Sequence, residues 1–191
     1  MQDEARRSAA ALNEAAVIDA KKVIYTGPVH VHYGFFTLTA FPDDAVPGSD
    51  VEPLTANPTA CAGPPPHPWH TSAPACTQGA VTVEVLLAPA RPPVDSDRWE
   101  EIVELDHHVE TPVTMLAGFT GGTELAIPLG HYRMRFSASH MDQAHQSDTD
   151  GHVDAYQLLL WPHNPTPQAP KPTDTILKVT SSIAKARHAS Q

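Results

Sequence analysis

The chain has 191 residues, 41% of them hydrophobic, with 22 acidic residues against 12 Lys and Arg and a formal net charge of −10. That length suits one domain with extensions, and the absence of an apolar run of about 18 residues excludes a membrane-spanning helix. The acid excess sets the chain against nucleic acid and anionic lipid as partners, and aromatics at 6%, not interleaved with basic residues, agree with that.

The charge is unevenly placed. Between Val23 and Pro170 there are 17 acidic residues and four basic ones (Arg91, Arg98, Arg133, Arg135), a balance of 4 − 17 = −13. The remaining segments carry 8 basic and 5 acidic residues, a balance of +3. An acidic body suits a cationic protein partner, and it also keeps a protein soluble. The first residues, with Asp3 and Glu4 and no apolar block, do not resemble a secretion signal. The expectation is a cytoplasmic protein whose thiols stay reduced.

Residues 3 to 21 are Ala-rich, with Leu12, Ala16 and Val17 as a thin apolar stripe, and predict a helix. Val23 to Phe41 predicts extended chain. Val29, Val31 and Tyr33 are apolar at odd positions, Phe36, Leu38 and Ala40 at even ones, and a bulge at Gly34 would restore a single apolar face. Pro42 to Gly79 is proline-rich, with Pro64-Pro65-Pro66, and predicts a long loop. Val81, Val83, Val85 and Leu87 alternate as the next strand. Trp99 to Val109 follows, with Val103, Leu105, His107 and Val109 on one face and Glu104, Asp106 and His108 on the other.

Val113 to Phe119 and Glu124 to Ile127 predict shorter strands around Gly121-Gly122. Gly130 to Ala138 is the most strand-like segment: Tyr132, Met134, Phe136 and Ala138 alternate with His131, Arg133, Arg135 and Ser137. Met141 to His152 predicts a polar loop. Val153 to Trp161 is apolar on both faces, as in a strand covered on both sides. A proline-rich linker follows, and Thr173 or Asp174 caps a predicted final helix carrying Ile176, Leu177, Val179 and Ile183. These segments predict a mainly β fold, an antiparallel two-sheet β-sandwich of about seven or eight strands with flanking N- and C-terminal helices. The expected organisation is a helix over 1–22, the sandwich over 23–162 with its Pro-rich loop 42–78, and a linker and helix over 163–191.

Three stretches resemble a known family when taken together: Val29-His30-Val31-His32-Tyr33-Gly34-Phe35-Phe36-Thr37-Leu38, Ile127-Pro128-Leu129-Gly130-His131-Tyr132-Arg133-Met134-Arg135, and Asp154-Ala155-Tyr156-Gln157-Leu158-Leu159-Leu160-Trp161-Pro162. In order and spacing they are similar to the competence-J family, inhibitors of a DNA-entry nuclease, and to related uncharacterised bacterial β-sandwich proteins. The Pro-rich insert and the terminal helices depart from the pattern. The resemblance implies protein binding without catalysis and supplies no catalytic residue.

Candidate sites are few. Cys61-x5-His67-x2-His70-x5-Cys76 has a zinc-type donor set, though not the paired spacing of a finger. Two unlinked thiols and a Cys61–Cys76 disulfide stay open beside it. His30-x-His32, with Gly122-x5-Pro128-x-Gly130, is similar in outline to the metal motifs of cupins, but no glutamate follows His32 and His131 follows Gly130 directly. A third cluster, His140, Asp142, His145, Asp148, Asp150, His152 and Asp154, suits a solvated acidic contact surface. There is no Gly-x-Ser-x-Gly elbow and no phosphate-binding glycine loop.

The leading expectation is a non-catalytic binding protein, an acidic inhibitor or immunity-type antagonist of a nuclease, toxin or other basic protein. Its expected partner-binding residues are Asp142, Asp148, Asp150 and Asp154, with Glu100, Glu101 and Glu104 as a second patch. No cofactor is expected unless zinc binds. The alternatives are a metal-dependent cupin-like enzyme using the strand histidines and a structural, self-associating accessory protein.

Overall fold

The computed structural model describes residues 20–32, 36–41, 69–72, 78–147, 153–164 and 175–189. Among them are ten strands: β1 (Lys22–His32), β2 (Phe36–Phe41), β3 (Trp69–Ser72), β4 (Gln78–Leu87), β5 (Glu101–Val109), β6 (Val113–Gly118), β7 (Gly121–Leu125), β8 (Gly130–Ser139), β9 (Ala155–Pro162) and β10 (Thr175–Val179). Two short helices join them, α1 (Met141–Ser147) and α2 (Ser182–Ala189). The protein is mainly β, with a six-stranded sheet in the order β1-β4-β9-β8-β5-β10 and a four-stranded sheet in the order β3-β2-β6-β7.

The six-stranded sheet is mixed where an antiparallel one was expected. β4 and β9 run parallel, from Thr82 opposite Ala155 to Leu87 opposite Leu160. β9 lies between β4 and β8, and Tyr156 to Trp161 are buried on both faces, which accounts for its unbroken apolar run.

The apolar phase changes between Val31 and Phe36, and Gly34, where a bulge was expected, lies outside the described residues. β1 belongs to the six-stranded sheet and β2 to the four-stranded one. Val29, Val31, Phe36 and Leu38 nevertheless enter one buried cluster, together with Val81, Val83, Leu105, Leu116, Met134 and Leu158. The shift therefore lets two strands of different sheets feed the same core. Phe36 meets Tyr156 edge-on at 5.6 Å between ring centroids, and Phe136 lies 5.8 Å from the other side of Tyr156. Aromatic pairs at this range add about 0.5–1.5 kcal/mol beyond their burial.

A close backbone approach links the sheets at their margin. Phe119 N donates to His30 O at 2.8 Å. A Cβ on Gly118 would lie 2.1 Å from that same oxygen, so only glycine fits.

Two further expectations change. Residues 175 to 179 form a strand where a helix was expected, paired with Glu101–Glu104 of β5. Ile176, Leu177 and Val179 suit a short strand, and their pairing covers backbone groups that would otherwise leave β5 as an edge. The helix starts only at Ser182. Residues 141 to 147, expected as loop, form α1. His140 turns the chain at φ 61°, and Met141 and Ala144, three apart, are both buried. The predicted N-terminal helix and most of the expected loop 42–78 lie outside the described residues. Within that loop Trp69–Ser72 forms β3, and Gln78 already begins β4.

Candidate functional site

The acids expected on a partner-facing surface are mostly engaged in holding the fold. Glu104 stands opposite Arg135 in the β5–β8 register and is 4% exposed. Arg135, 3% exposed, donates to Glu104 Oε1 from Nε at 2.9 Å and from Nη2 at 2.7 Å. Its remaining donors go to the carbonyls of Pro93 and Pro92, each at 2.8 Å, and its guanidinium lies 5.3 Å from the Trp161 ring centre. Arg91 closes on the same carboxylate from the solvent side, with Nη2 3.1 Å from Oε2. The segment from Arg91 to Pro93 is thereby tied over the outer face of the six-stranded sheet. Lys178 of β10 donates to the Ser96 carbonyl and ties the same segment further along. In the next row Arg133 Nη1 meets Asp106 Oδ1 at 2.9 Å, and Nη2 donates to Glu104 O and Thr175 Oγ1.

A second group clasps the helices at one end of the sheet. Asp142 of α1 accepts the Ser182 N–H at 2.9 Å and the Ile183 N–H at 3.0 Å, while Ser181 Oγ accepts the Ala184 N–H at 3.0 Å. The first turn of α2 thus finds its acceptors partly on another helix. The Ser182 and Ile183 N–H groups hold the Asp142 carboxyl below the usual carboxylate range. Glu100 Oε2 accepts the Met141 N–H at 2.9 Å, and Glu101, 3% exposed, lies 2.7 Å from His188 Nε2. Asp154, 1% exposed, accepts the Tyr156 hydroxyl at 2.6 Å. Glu101, Glu104 and Asp154 are therefore interior groups, Glu100 and Asp142 serve helix ends, and Asp148 and Asp150 lie outside the described residues. Of these acids Glu100 and Asp142 come close to each other at the start of α1, where Glu100 accepts the N–H of the residue before Asp142.

The metal candidates are scattered. His30 is exposed on β1, opposite Ala80, and His32 stands opposite Gln78. His70 is on β3 opposite Leu38, in the other sheet. Cys61, His67 and Cys76 lie outside the described residues. Among the described residues no three or more His, Cys, Asp or Glu side chains converge as metal ligands.

The sequence reading missed the interior Arg–Glu cluster. Its available signal was the cationic row Arg133 and Arg135 facing the acidic row Glu104 and Asp106 on two alternating strands. Opposite α2's end of the sheet, Tyr132 donates to Pro128 O at 2.7 Å and burial pushes its phenol pKa up. That bond closes the Pro-x-Gly turn into β8.

No family model matches the chain, and no curated protein matches it. Two solved structures are similar. One is ComJ from Bacillus subtilis, described as an inhibitor of the DNA-degrading activity of NucA, at 15% identity and a TM-score of 0.49, covering 75% of this chain and 98% of that one. The other, described as crocagin biosynthetic gene J, has 12% identity and a TM-score of 0.51, covering 76% of this chain and 99% of that one. At 12% identity and a TM-score of 0.51, the likeness to the second structure is one of fold alone.

Proposed function

We propose that the protein is a non-catalytic binding protein, its two sheets packed as a sandwich, that antagonises a basic protein in the cytoplasm. Its concrete form is an inhibitor of a nuclease. A DNA-degrading enzyme presents a cationic surface to its phosphate substrate, and an acidic protein competes for that surface.

The observation that carries this reading is the state of the cations. Between Val23 and Pro170 three of the four Arg residues are paired internally, Arg91 and Arg135 with Glu104 and Arg133 with Asp106. That leaves 17 − 2 = 15 acidic residues against 4 − 3 = 1 cation, Arg98, in this span. The negative field is uncompensated within the sheet domain. With Glu101, Glu104 and Asp154 inside, the contact surface draws on Asp148, Asp150 and the acids of the Pro-rich insert, Asp43, Asp44, Asp50 and Glu52.

The experiment is a DNA-degradation assay with a NucA-type nuclease, with and without the full chain, at low salt. Stoichiometric loss of degradation is expected, and the joint charge reversal Asp148→Lys with Asp150→Lys weakens it by about 10-fold or more. Undiminished degradation with the chain in large excess would reject the nuclease assignment.

A further inference from the structure

A row of histidines on the outer face of the six-stranded sheet takes no part in the ion pairs described above. His108 of β5 stands directly opposite His131 of β8. Just past the end of β9, His163 donates its backbone N–H to His131 O at 2.9 Å, which continues the row across a third strand. His108 and His131 are exposed and His163 half-buried. The His108 and His131 rings stack at 3.8 Å between centroids, with 4° between their planes. His108 Nδ1 lies 2.8 Å from Glu110 Oε1.

We propose that His108 and His131 form a surface two-histidine site for a divalent imidazole-binding ion, Zn²⁺, with Glu110 as a positioning residue. Directly opposed residues on antiparallel strands hold their Cβ atoms roughly 4.5–5.5 Å apart, a span across which two imidazoles chelate one ion at Zn–N distances of about 2.0–2.1 Å. The Glu110 carboxylate accepts the proton of His108 Nδ1. That fixes the tautomer with its lone pair on Nε2, the arrangement found behind metal-bound histidines. The stacked pair opens into a chelate by rotation of the His131 ring, which leaves the His108–Glu110 contact in place. Arg133, two residues along β8 from His131, meets Asp106 Oδ1 and donates from Nη2 to Glu104 O and Thr175 Oγ1. The site uses neither the thiols of the Pro-rich loop nor His30 and His32 as donors, and it does not depend on the inhibitor reading.

The test is equilibrium dialysis of the full untagged chain against buffered Zn²⁺ in a Cys61→Ser, Cys76→Ser background, with Zn²⁺-induced shifts of the imidazole NMR signals of the unsubstituted chain as a second readout. A single bound ion is expected, with the His108 and His131 signals moving together. His131→Gln and His108→Gln each lower affinity by about 10-fold or more, and Glu110→Gln by about 10–100-fold, while His30→Gln leaves it unchanged. All these side chains are exposed, so circular dichroism of the metal-free variants is expected to match the parent. Zn²⁺ binding that survives the His108→Gln, His131→Gln double substitution would overturn the proposal. So would His108 and His131 signals that stay fixed through saturation.

Discussion

Arg135 and Glu104 show how little a residue's type says about its surroundings. Both sit on the polar face of a clear period-two strand, and that alternation ordinarily marks solvent. Here a loop is laid across them, and the pair is buried under Pro92 and Pro93. Removing one partner leaves the other charged and buried, so Arg135→Met is expected to cost about 3–5 kcal/mol. The double replacement Arg135→Met, Glu104→Leu is expected to cost less than either single change, as measured by denaturant unfolding. Glu104 could be read as opposite a cation from the sequence. Its burial could not, because the covering segment has no periodicity and reaches Arg135 from more than forty positions away.

Asp142 makes a pH-dependent prediction at the same scale. Its pKa is lowered in the folded state by the Ser182 and Ile183 N–H groups. A depressed carboxyl contributes stability that is complete above its unfolded value of about 3.9 and is lost as pH falls through the folded value. Protection of the Ser182 and Ile183 amides against hydrogen exchange, relative to their intrinsic rates, is therefore expected to fall in acid below about pH 4, and Asp142→Ala to lower it already at neutral pH, with a cost of about 1 kcal/mol.

At the scale of elements, the strands were legible wherever one face is core and the other is not. Val81 to Leu87, Val103 to Val109 and Tyr132 to Ala138 alternate, and each forms a strand. The misread segments are those whose apolar spacing satisfies two periods. Ile176, Leu177, Val179 and Ile183 fit a helical stripe, yet the first three make β10, because β5 offers an unpaired edge that the local sequence does not record. Met141 and Ala144 are too few to announce α1 among polar neighbours. The contact between Gly118 and His30 was likewise invisible, since it joins strands of different sheets. Gly118→Ala would force a Cβ against a backbone oxygen, and a loss of roughly 3 kcal/mol or more is expected in thermal or chemical unfolding. Phe36→Ala removes the ring that meets Tyr156 from the opposite sheet, with an expected cost of about 3–5 kcal/mol. A near-neutral result for either would mean that the two sheets do not share the core described here.

The whole molecule couples two facts about charge. Three of the four Arg residues between Val23 and Pro170 are paired within the chain, Arg135 with Glu104 in the interior, and the acids of that span outnumber them. The buried Arg135–Glu104 pair is weakly screened by salt, while the outward field is strongly screened. The acid excess and the mainly β class were both plain in the sequence. The placement of acids was not, because inside and outside carboxylates are the same residue type. α2, which lies in the C-terminal segment that the alternative self-association reading invoked, packs its Ala184 into the core of its own chain and takes part of its cap from α1.

The most direct test of the account is the affinity of the full chain for a NucA-type nuclease, measured by calorimetry at several salt concentrations, with the thermal stability of the free chain followed in parallel. The account predicts binding that weakens by about 10-fold or more between low and high salt while the melting temperature of the free chain does not fall. Binding of undiminished strength at high salt, or no binding at low salt, would contradict it.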